Sequence, residues 1–144
     1  MDKNSILPVK EFMIKDIVSV KSNTTIKQTV KQMYEKHVGA AIVLENNSLV
    51  GIITHRDIAI AVSVFEKALN LPVSEIMSSP VLHVSPDESI IKTAEIMTSK
   101  NIHRLPIVDQ GKVIGIISST DLAILFSMYK EEDLKKIFGP SLNI

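Results

Sequence analysis

Sliding the sequence against itself by 64 positions aligns Glu11–Val62 with Glu75–Phe126 without a gap, and 13 of the 52 pairs are identical. They include Met13/Met77, Val20/Val84, Ile26/Ile90, Met33/Met97, Gly51/Gly115, Asp57/Asp121 and Ile60/Ile124. Many of the other pairs exchange one apolar residue for another. A duplication that keeps every loop length requires both copies to follow one backbone plan. The 144 residues then read as two small units sharing a core.

Either copy shows the plan. Ile17–Val20 and Val81–Val84 are short β-branched segments with strand propensity. After the second, Ser85-Pro86-Asp87-Glu88-Ser89 predicts a helix start, with Ser85 as N-cap, Pro86 at the first helical position and Glu88 closing a capping box. Ser22-Asn23-Thr24-Thr25 keeps only the hydroxyl caps and predicts a weaker start. Ile26, Val30 and Met33 then fall on one helical face, as do Ile90, Ala94 and Met97. Two β-hairpins follow, turning at Asn46-Asn47 and Gln110-Gly111, residues that tolerate the positive φ of a tight turn. A second helix is expected from Asp57 and from Asp121. The predicted class is α+β and sandwich-like, two βαββα repeats over residues 8–70 and 71–130. A helical tail over 131–144 is expected to dock Leu134, Ile137 and Phe138 and to stop at Gly139-Pro140. The short connection Leu69–Ser74 predicts copies packed as one body, with a hinge near Pro72.

The second helices, Asp57–Leu71 and Asp121–Tyr129, carry apolar residues on nearly every face of their first turns. A helix lying on one sheet needs only one apolar stripe. The surplus predicts burial between the copies and between two chains, hence a homodimer.

Composition excludes several classes. Formal net charge is zero, with both signs scattered, which disfavours the basic face that nucleic-acid binding needs. The absence of cysteine removes disulfides, thiolate catalysis and cysteine-ligated zinc. His37, His55, His83 and His103 show no metal-ligand spacing, so no metal is expected. No nucleophile-elbow, P-loop or dinucleotide-binding motif occurs, so neither an enzyme nor a catalytic cofactor is expected. No apolar run approaches the ~18 residues of a membrane span, and the opening lacks the apolar core of a secretory signal. The expectation is a cytoplasmic protein with no membrane partner.

Taken together, these segments resemble a known family, the tandem pair of CBS domains named after cystathionine β-synthase. The resemblance rests on Glu11-Phe12-Met13 with Ile17–Val20, on Glu75–Ser89, on the hairpin Arg104–Ser118, and on the closing Gly-apolar-apolar-Thr/Ser-x-x-Asp of each copy. It covers Pro8–Tyr129. It implies two βαββα units about a pseudo-twofold axis with two clefts between them, dimerisation into a flat disc, and adenosine-containing ligands such as AMP, ADP, ATP, S-adenosylmethionine or NAD.

The residues themselves are compatible with such a ligand. An ionised carboxylate only accepts, so Asp57 or Asp121 can take hydrogen bonds from both hydroxyls of a ribose. Thr54 or Ser118 can bond ribose or phosphate, and the helix start behind them favours an anion. Arg56 offers a charge-assisted contact, with His55 assisting. Gly51 and Gly115 permit close backbone approach. The same Thr54-x-x-Asp57 and Ser118-x-x-Asp121 spacing is equally a helix cap, hydroxyl at N-cap and carboxylate at N3. The two roles are compatible.

The copies differ at the decisive positions. Thr120 and Ser119 stand where the first copy has Arg56 and His55, while His103 and Arg104 stand where it has Gly39 and Ala40. The resemblance assigns the Gly39–Ala41 edge and His103-Arg104 to the rims of the clefts, and backbone groups near Ile17-Val18 and Pro80-Val81 to the adenine edge. Ile17, Val18 and Val81 read equally as core strand residues, and Arg104 as one half of a surface ion pair. One well-formed site, at the first motif, and one degenerate or differently selective site are expected. The functional expectation is a stand-alone regulatory homodimer that binds AMP, ADP or ATP and signals to a separate, unidentified protein. The rivals are a dimerisation module without ligand, and a binder of S-adenosylmethionine, NAD or nucleic acid.

Overall fold

A hydroxyl side chain opens every helix for which a side-chain cap is described. The structure, a computed structural model, describes residues 7–138. In the first copy β1 (Val18–Lys21) leads to α1 (Ile26–Lys36), then β2 (Ala40–Glu45), β3 (Ser48–Thr54) and α2 (His55–Val64). The second copy supplies α3 (Ile90–Lys100), β4 (Arg104–Asp109), β5 (Lys112–Ser118) and α4 (Ser119–Ser127), followed by α5 (Glu131–Phe138). The class is α+β with a duplicated plan, as expected. No helix among the described residues is long and apolar enough to cross a membrane.

The caps correct two expectations. In the first copy Thr25 is the N-cap and forms a full capping box with Gln28: the Gln28 N–H donates to Thr25 Oγ1 at 3.1 Å, and the Thr25 N–H to Gln28 Oε1 at 3.3 Å. In the second, α3 starts four residues later than Ser85 predicts, at the N-cap Ser89, and position 92 is a lysine that cannot reciprocate. Ser85–Glu88 forms a turn instead, closed by the Glu88 N–H on the Ser85 carbonyl at 3.1 Å. Proline as second residue of a β-turn competes with proline at a helix start, and here the turn wins. The Ser89 N–H is accepted instead by Glu88 Oε1 at 3.2 Å, and the Lys92 N–H by Ser89 Oγ at 3.0 Å, so the first copy's start is as fully capped as the second's.

Strand pairing corrects a third. β1 pairs parallel with β2, Val18 opposite Ala41, and β2 pairs antiparallel with β3, Ala40 opposite Thr54, in the order β1-β2-β3. The matching segment Val81–Val84 forms no strand, only a parallel bridge of Val84 to Ile107, and β4–β5 is two-stranded. The Val84 N–H reaches the Pro106 carbonyl at 3.1 Å and the Val108 N–H the Val84 carbonyl at 2.9 Å. The next rung upstream needs an N–H from position 106, where the first copy has Ile42 and the second a proline. Both hairpins turn as expected, with φ of 50° and 64° at Asn46-Asn47 and of 50° and 80° at Gln110-Gly111.

Two compact units emerge, and they do not coincide with the sequence repeats. One comprises residues 7–15, His83–Asp109 and 113–138; the other comprises Asp16–Leu82 and Gln110–Lys112. The arm Leu7-Pro8-Val9 therefore completes the core of the second copy: Val9 is fully buried among Ile90, Leu105, Ile107 and Ile117. Its counterpart Leu71-Pro72-Val73 completes the first, Val73 lying fully buried with Ile26, Val43 and Ile53. The segment at Pro72 is no free hinge. Its neighbours are bonded to the start of α1, Ile26 N–H to the Leu71 carbonyl at 2.9 Å and Val73 N–H to the Thr24 carbonyl at 2.8 Å. The side chains of Leu134, Ile137 and Phe138, and the stop at Gly139-Pro140, lie outside the described residues.

Each arm ends in a methionine that covers a glycine. A Cβ on Gly51 would meet the Met77 side chain, with Cγ at 2.8 Å, and one on Gly115 would lie 2.6 Å from Met13 Sδ and 3.1 Å from the Ile14 carbonyl oxygen. Gly51→Ala and Gly115→Ala should each cost about 1–3 kcal/mol by overpacking. In urea unfolding, Met77→Ala should relieve part of the Gly51→Ala loss, whereas Met13→Ala should relieve less at Gly115, where backbone also blocks the methyl.

Candidate functional site

The end of β3 and the start of α2 form one hydrogen-bonded corner. Thr54 is the N-cap of α2 and Asp57 its third residue. Asp57 Oδ2 accepts from the Thr54 N–H at 2.9 Å and from the Thr54 hydroxyl at 3.0 Å, while the Asp57 N–H donates to Thr54 Oγ1 at 3.4 Å. Asp57 Oδ1 has no hydrogen-bond donor among the described residues. The carboxylate is half-buried, so one oxygen is spent on the cap and the other is available to a donor from outside.

The second corner repeats this with one difference. Asp121 Oδ2 accepts from the Ser118 N–H at 2.8 Å, and the Asp121 N–H donates to Ser118 Oγ at 3.1 Å. No bond from the Ser118 hydroxyl to Asp121 accompanies them, so among the described residues its proton has no acceptor. The expected capping role is present at both motifs, and both helices begin two residues before their aspartates.

Sheet register collects most of the first-copy candidates at one end. Ala40 lies opposite Thr54, Val18 opposite Ala41, and the His55 N–H donates to the Gly39 carbonyl at 3.3 Å. Ile17, Val18, Gly39, Ala40, Thr54, His55, Arg56 and Asp57 thus share the β1–β2–β3 edge nearest the α2 start. Val18 is buried, as its core reading predicts, whereas Ile17 is half-buried. Pro80 and Val81 sit elsewhere in the same unit, after the Ser78–Ile52 bridge, with Pro80 exposed behind a cis peptide bond and Val81 half-buried.

At the second corner the Ser119 N–H donates to the His103 carbonyl at 2.9 Å, and Ser119 Oγ lies 3.5 Å from His103 Nδ1. Arg104, first residue of β4, is half-buried. Neither it nor the exposed Arg56 forms an ion pair among the described residues, so the surface ion pair expected as one reading of Arg104 is absent there. Each corner thus carries one unpaired guanidinium and one imidazole, on opposite sides of the strand–helix junction.

Two residues escaped the sequence reading. Tyr34 and His37 join Val30, Met33, Val38, Gly39 and His55 around a cavity of about 320 Å³ beside the first corner. The tyrosine and histidine rings are tilted with centroids 6.4 Å apart. The available signal was position: His37 is the left-handed C-cap of α1, two residues before Gly39.

Comparison with known proteins gives one consistent result. The family model described as the CBS domain matches twice, over residues 9–64 and 73–127. The CBS domain-containing protein YhcV of Bacillus subtilis is 36% identical over 116 residues, which is 81% of this chain and 83% of that protein. A homoserine O-acetyltransferase of Methanohalobium evestigatum is 36% identical over 123 residues, 84% of this chain and only 24% of that protein. The chain likewise spans 40% of the uncharacterized protein MJ1232 of Methanocaldococcus jannaschii. Among solved structures, the CBS domain pair of protein MJ0100, in complex with 5'-methylthioadenosine and S-adenosyl-L-methionine, superposes with a TM-score of 0.78 at 30% identity, covering 85% of this chain and 98% of that one. The CBS-domain containing protein ATU1752 of Agrobacterium tumefaciens gives 0.76 at 26% identity, covering 83% and 98%.

Asparagine can keep the cap oxygen that alanine lacks. Asp57→Ala, which leaves the Thr54 N–H without its acceptor, should therefore lower unfolding free energy by about 1–3 kcal/mol. Asp57→Asn should lose only the charge–dipole part, about 0.3–1 kcal/mol. Equal losses in urea denaturation would contradict the cap geometry.

Proposed function

Because this chain belongs to the CBS-domain family and carries the domain twice, we propose that it is a regulatory module that binds an adenosine-containing ligand at its two strand–helix corners. The observation that carries this reading is the divided aspartate: Asp57 Oδ2 is held by Thr54, and Oδ1 has no donor among the described residues. A ribose cis-diol presents two adjacent O–H donors, and the open Oδ1 has two lone pairs to accept them.

In the first corner Asp57 takes the ribose hydroxyls, and the α2 start with Arg56 and His55 takes phosphate. Thr54 orients the carboxylate through its cap. Gly39 and Ala40 leave room for the ligand, and backbone near Ile17-Val18 faces the base. In the second corner Asp121 and Ser118 serve the ribose, and Arg104 with His103 supplies the charge that Thr120 lacks. Pro80-Val81 is assigned to the adenine edge of one ligand. AMP, ADP or ATP suits the unpaired guanidinium at each corner. S-adenosylmethionine or methylthioadenosine is the second reading, favoured by the ligands of the MJ0100 pair. NAD and nucleic acid rank below them. The module self-associates through the exposed apolar residues of α2 and α4, and ligand binding alters its affinity for a separate regulated protein by favouring one arrangement over another.

The test is thermal unfolding with AMP, ADP, ATP, NAD, S-adenosylmethionine and a short oligonucleotide. A ligand at 100 times its dissociation constant adds about 2.7 kcal/mol. One adenosine ligand should raise Tm. Asp57→Asn, which keeps the cap, should abolish most of the shift, and Asp121→Asn should reduce it less. No shift with any compound would favour a ligand-free dimerisation module, and a shift that survives Asp57→Asn would refute the ranking of the corners.

A further inference from the structure

The exposed apolar residues of α2 do not all face one way. At 3.6 residues per turn Val62 falls on the opposite side of the helix from Ile60 and Val64. With Phe65 and Leu69 it lines a groove of about 370 Å³, shared with Lys27, Lys67, Ala68 and Asn70. Val62, Phe65 and Leu69 keep 55%, 48% and 43% of their surface exposed. The wall beneath them is fixed. Ala68 is buried in the core of its unit, and a short 3-10 turn over Ala68–Asn70 is closed by the Asn70 and Leu71 N–H groups on the Lys67 and Ala68 carbonyls, at 2.9 and 3.0 Å.

The margin of this groove is basic. Lys27 is the second residue of α1, a helix with no acidic residue in its first turn. Lys67 stands in left-handed backbone, φ 53°, where the chain leaves α2 for the turn. Neither lysine forms an ion pair among the described residues. Glu66 is exposed and lies outside the groove's lining. Two uncompensated ammonium groups and the positive end of α1 therefore border one apolar hollow. The second copy is built otherwise. Phe126 and Tyr129 stand where the first has Val62 and Phe65, both half-buried on their own core, and Ile91 stands where it has Lys27.

We propose that this groove binds an amphipathic monoanion, a medium-length acyl chain ending in a carboxylate, in the first copy alone. The chain lies over Val62, Phe65 and Leu69, and the carboxylate is met by Lys27 and Lys67. An apolar lining with a few charged groups, in a space of about 300–1,000 Å³, is the make-up of a small-ligand site. A stable protein interface buries about 800 Å² a side, far more than three side chains offer. The groove shares no residue with either strand–helix corner, so the proposal stands apart from the adenosine reading.

Isothermal titration calorimetry of the full chain with decanoate, kept below its micellar concentration, tests this. Decanoate should bind saturably, one per chain. Octanoate, shorter by two methylenes, should bind about tenfold more weakly. Decyltrimethylammonium, of equal chain length and opposite charge, should be weaker than decanoate by at least about tenfold. Lys67→Glu and Val62→Asp, both on the surface, should each weaken decanoate about tenfold or more, with Tm confirming a folded chain. Ile60→Ser, on the far side of α2, and Asp57→Asn should leave the affinity unchanged. Absence of saturable binding, equal affinity for the cationic analogue, or binding that survives both Lys67→Glu and Val62→Asp would overturn the proposal. So would a dimer that Val62→Asp converts to monomer in sedimentation equilibrium while decanoate gives no saturable heat, because the hollow would then belong to a second chain.

Discussion

The contact of Met77 with the Cα of Gly51, and of Met13 with that of Gly115, is where the duplication becomes a fold. Each methionine sits at the end of an arm whose valine, Val73 or Val9, is fully buried in a core built otherwise from the opposite copy's sequence. A glycine on a strand admits the methionine so closely that a single methyl would collide. The arm is thereby locked to the strand that ends in the N-cap Thr54 or Ser118. Removing either arm would open a core lined by fully buried Ile26 and Ile53, or by Ile90 and Ile117. The compact unit is therefore one copy plus the other copy's arm.

That locking matters for the corners, because Gly51 and Gly115 lie only three residues before the capping hydroxyls. A strand held in place on one side by methionine and on the other by its hairpin partner delivers Thr54 and Asp57 in fixed geometry. The cap then spends a single carboxylate oxygen. Structural and binding roles do not compete for the same lone pairs, so the capping reading, complete in itself, leaves the ligand reading intact. A preorganised acceptor loses little side-chain entropy when a donor arrives.

Much of this was legible in the residues. The fixed offset, the hairpin turns at Asn46-Asn47 and Gln110-Gly111, the paired caps and the helical faces all follow from local chemistry, and local chemistry is what a sequence displays. Other features depended on competition. Ser85-Pro86 satisfies a helix start and a turn equally well, and it is the arm that favours the turn, by burying Val9 beside α3 and donating the Val9 N–H to the Glu88 carbonyl at 2.7 Å and the Lys10 N–H to the Pro86 carbonyl at 3.1 Å. The missing second-copy strand was inferable from Pro106, whose lack of an N–H is a local fact with a non-local consequence. The arms were also in view, since Leu-Pro-Val opens both copies at 7–9 and 71–73. Which core each arm enters is a question of topology, and periodicity is silent on that. The Tyr34–His37 wall was hidden for a similar reason, because a helix C-cap reads as a terminus until a neighbouring strand places it beside His55.

Asymmetry between the copies is the most informative residue-level property of the chain. A duplication free of functional demand drifts at exposed positions without pattern. Here the exchanges are complementary: imidazole and small residue trade places across the strand–helix junction, Gly39 with His55 against His103 with Ser119. The cation moves likewise from the helix side, Arg56, to the strand side, Arg104. Each exchange at the corners preserves the inventory while reversing where the groups sit. Two corners with one inventory and opposite arrangement present the same chemical groups from opposite sides of the strand–helix junction.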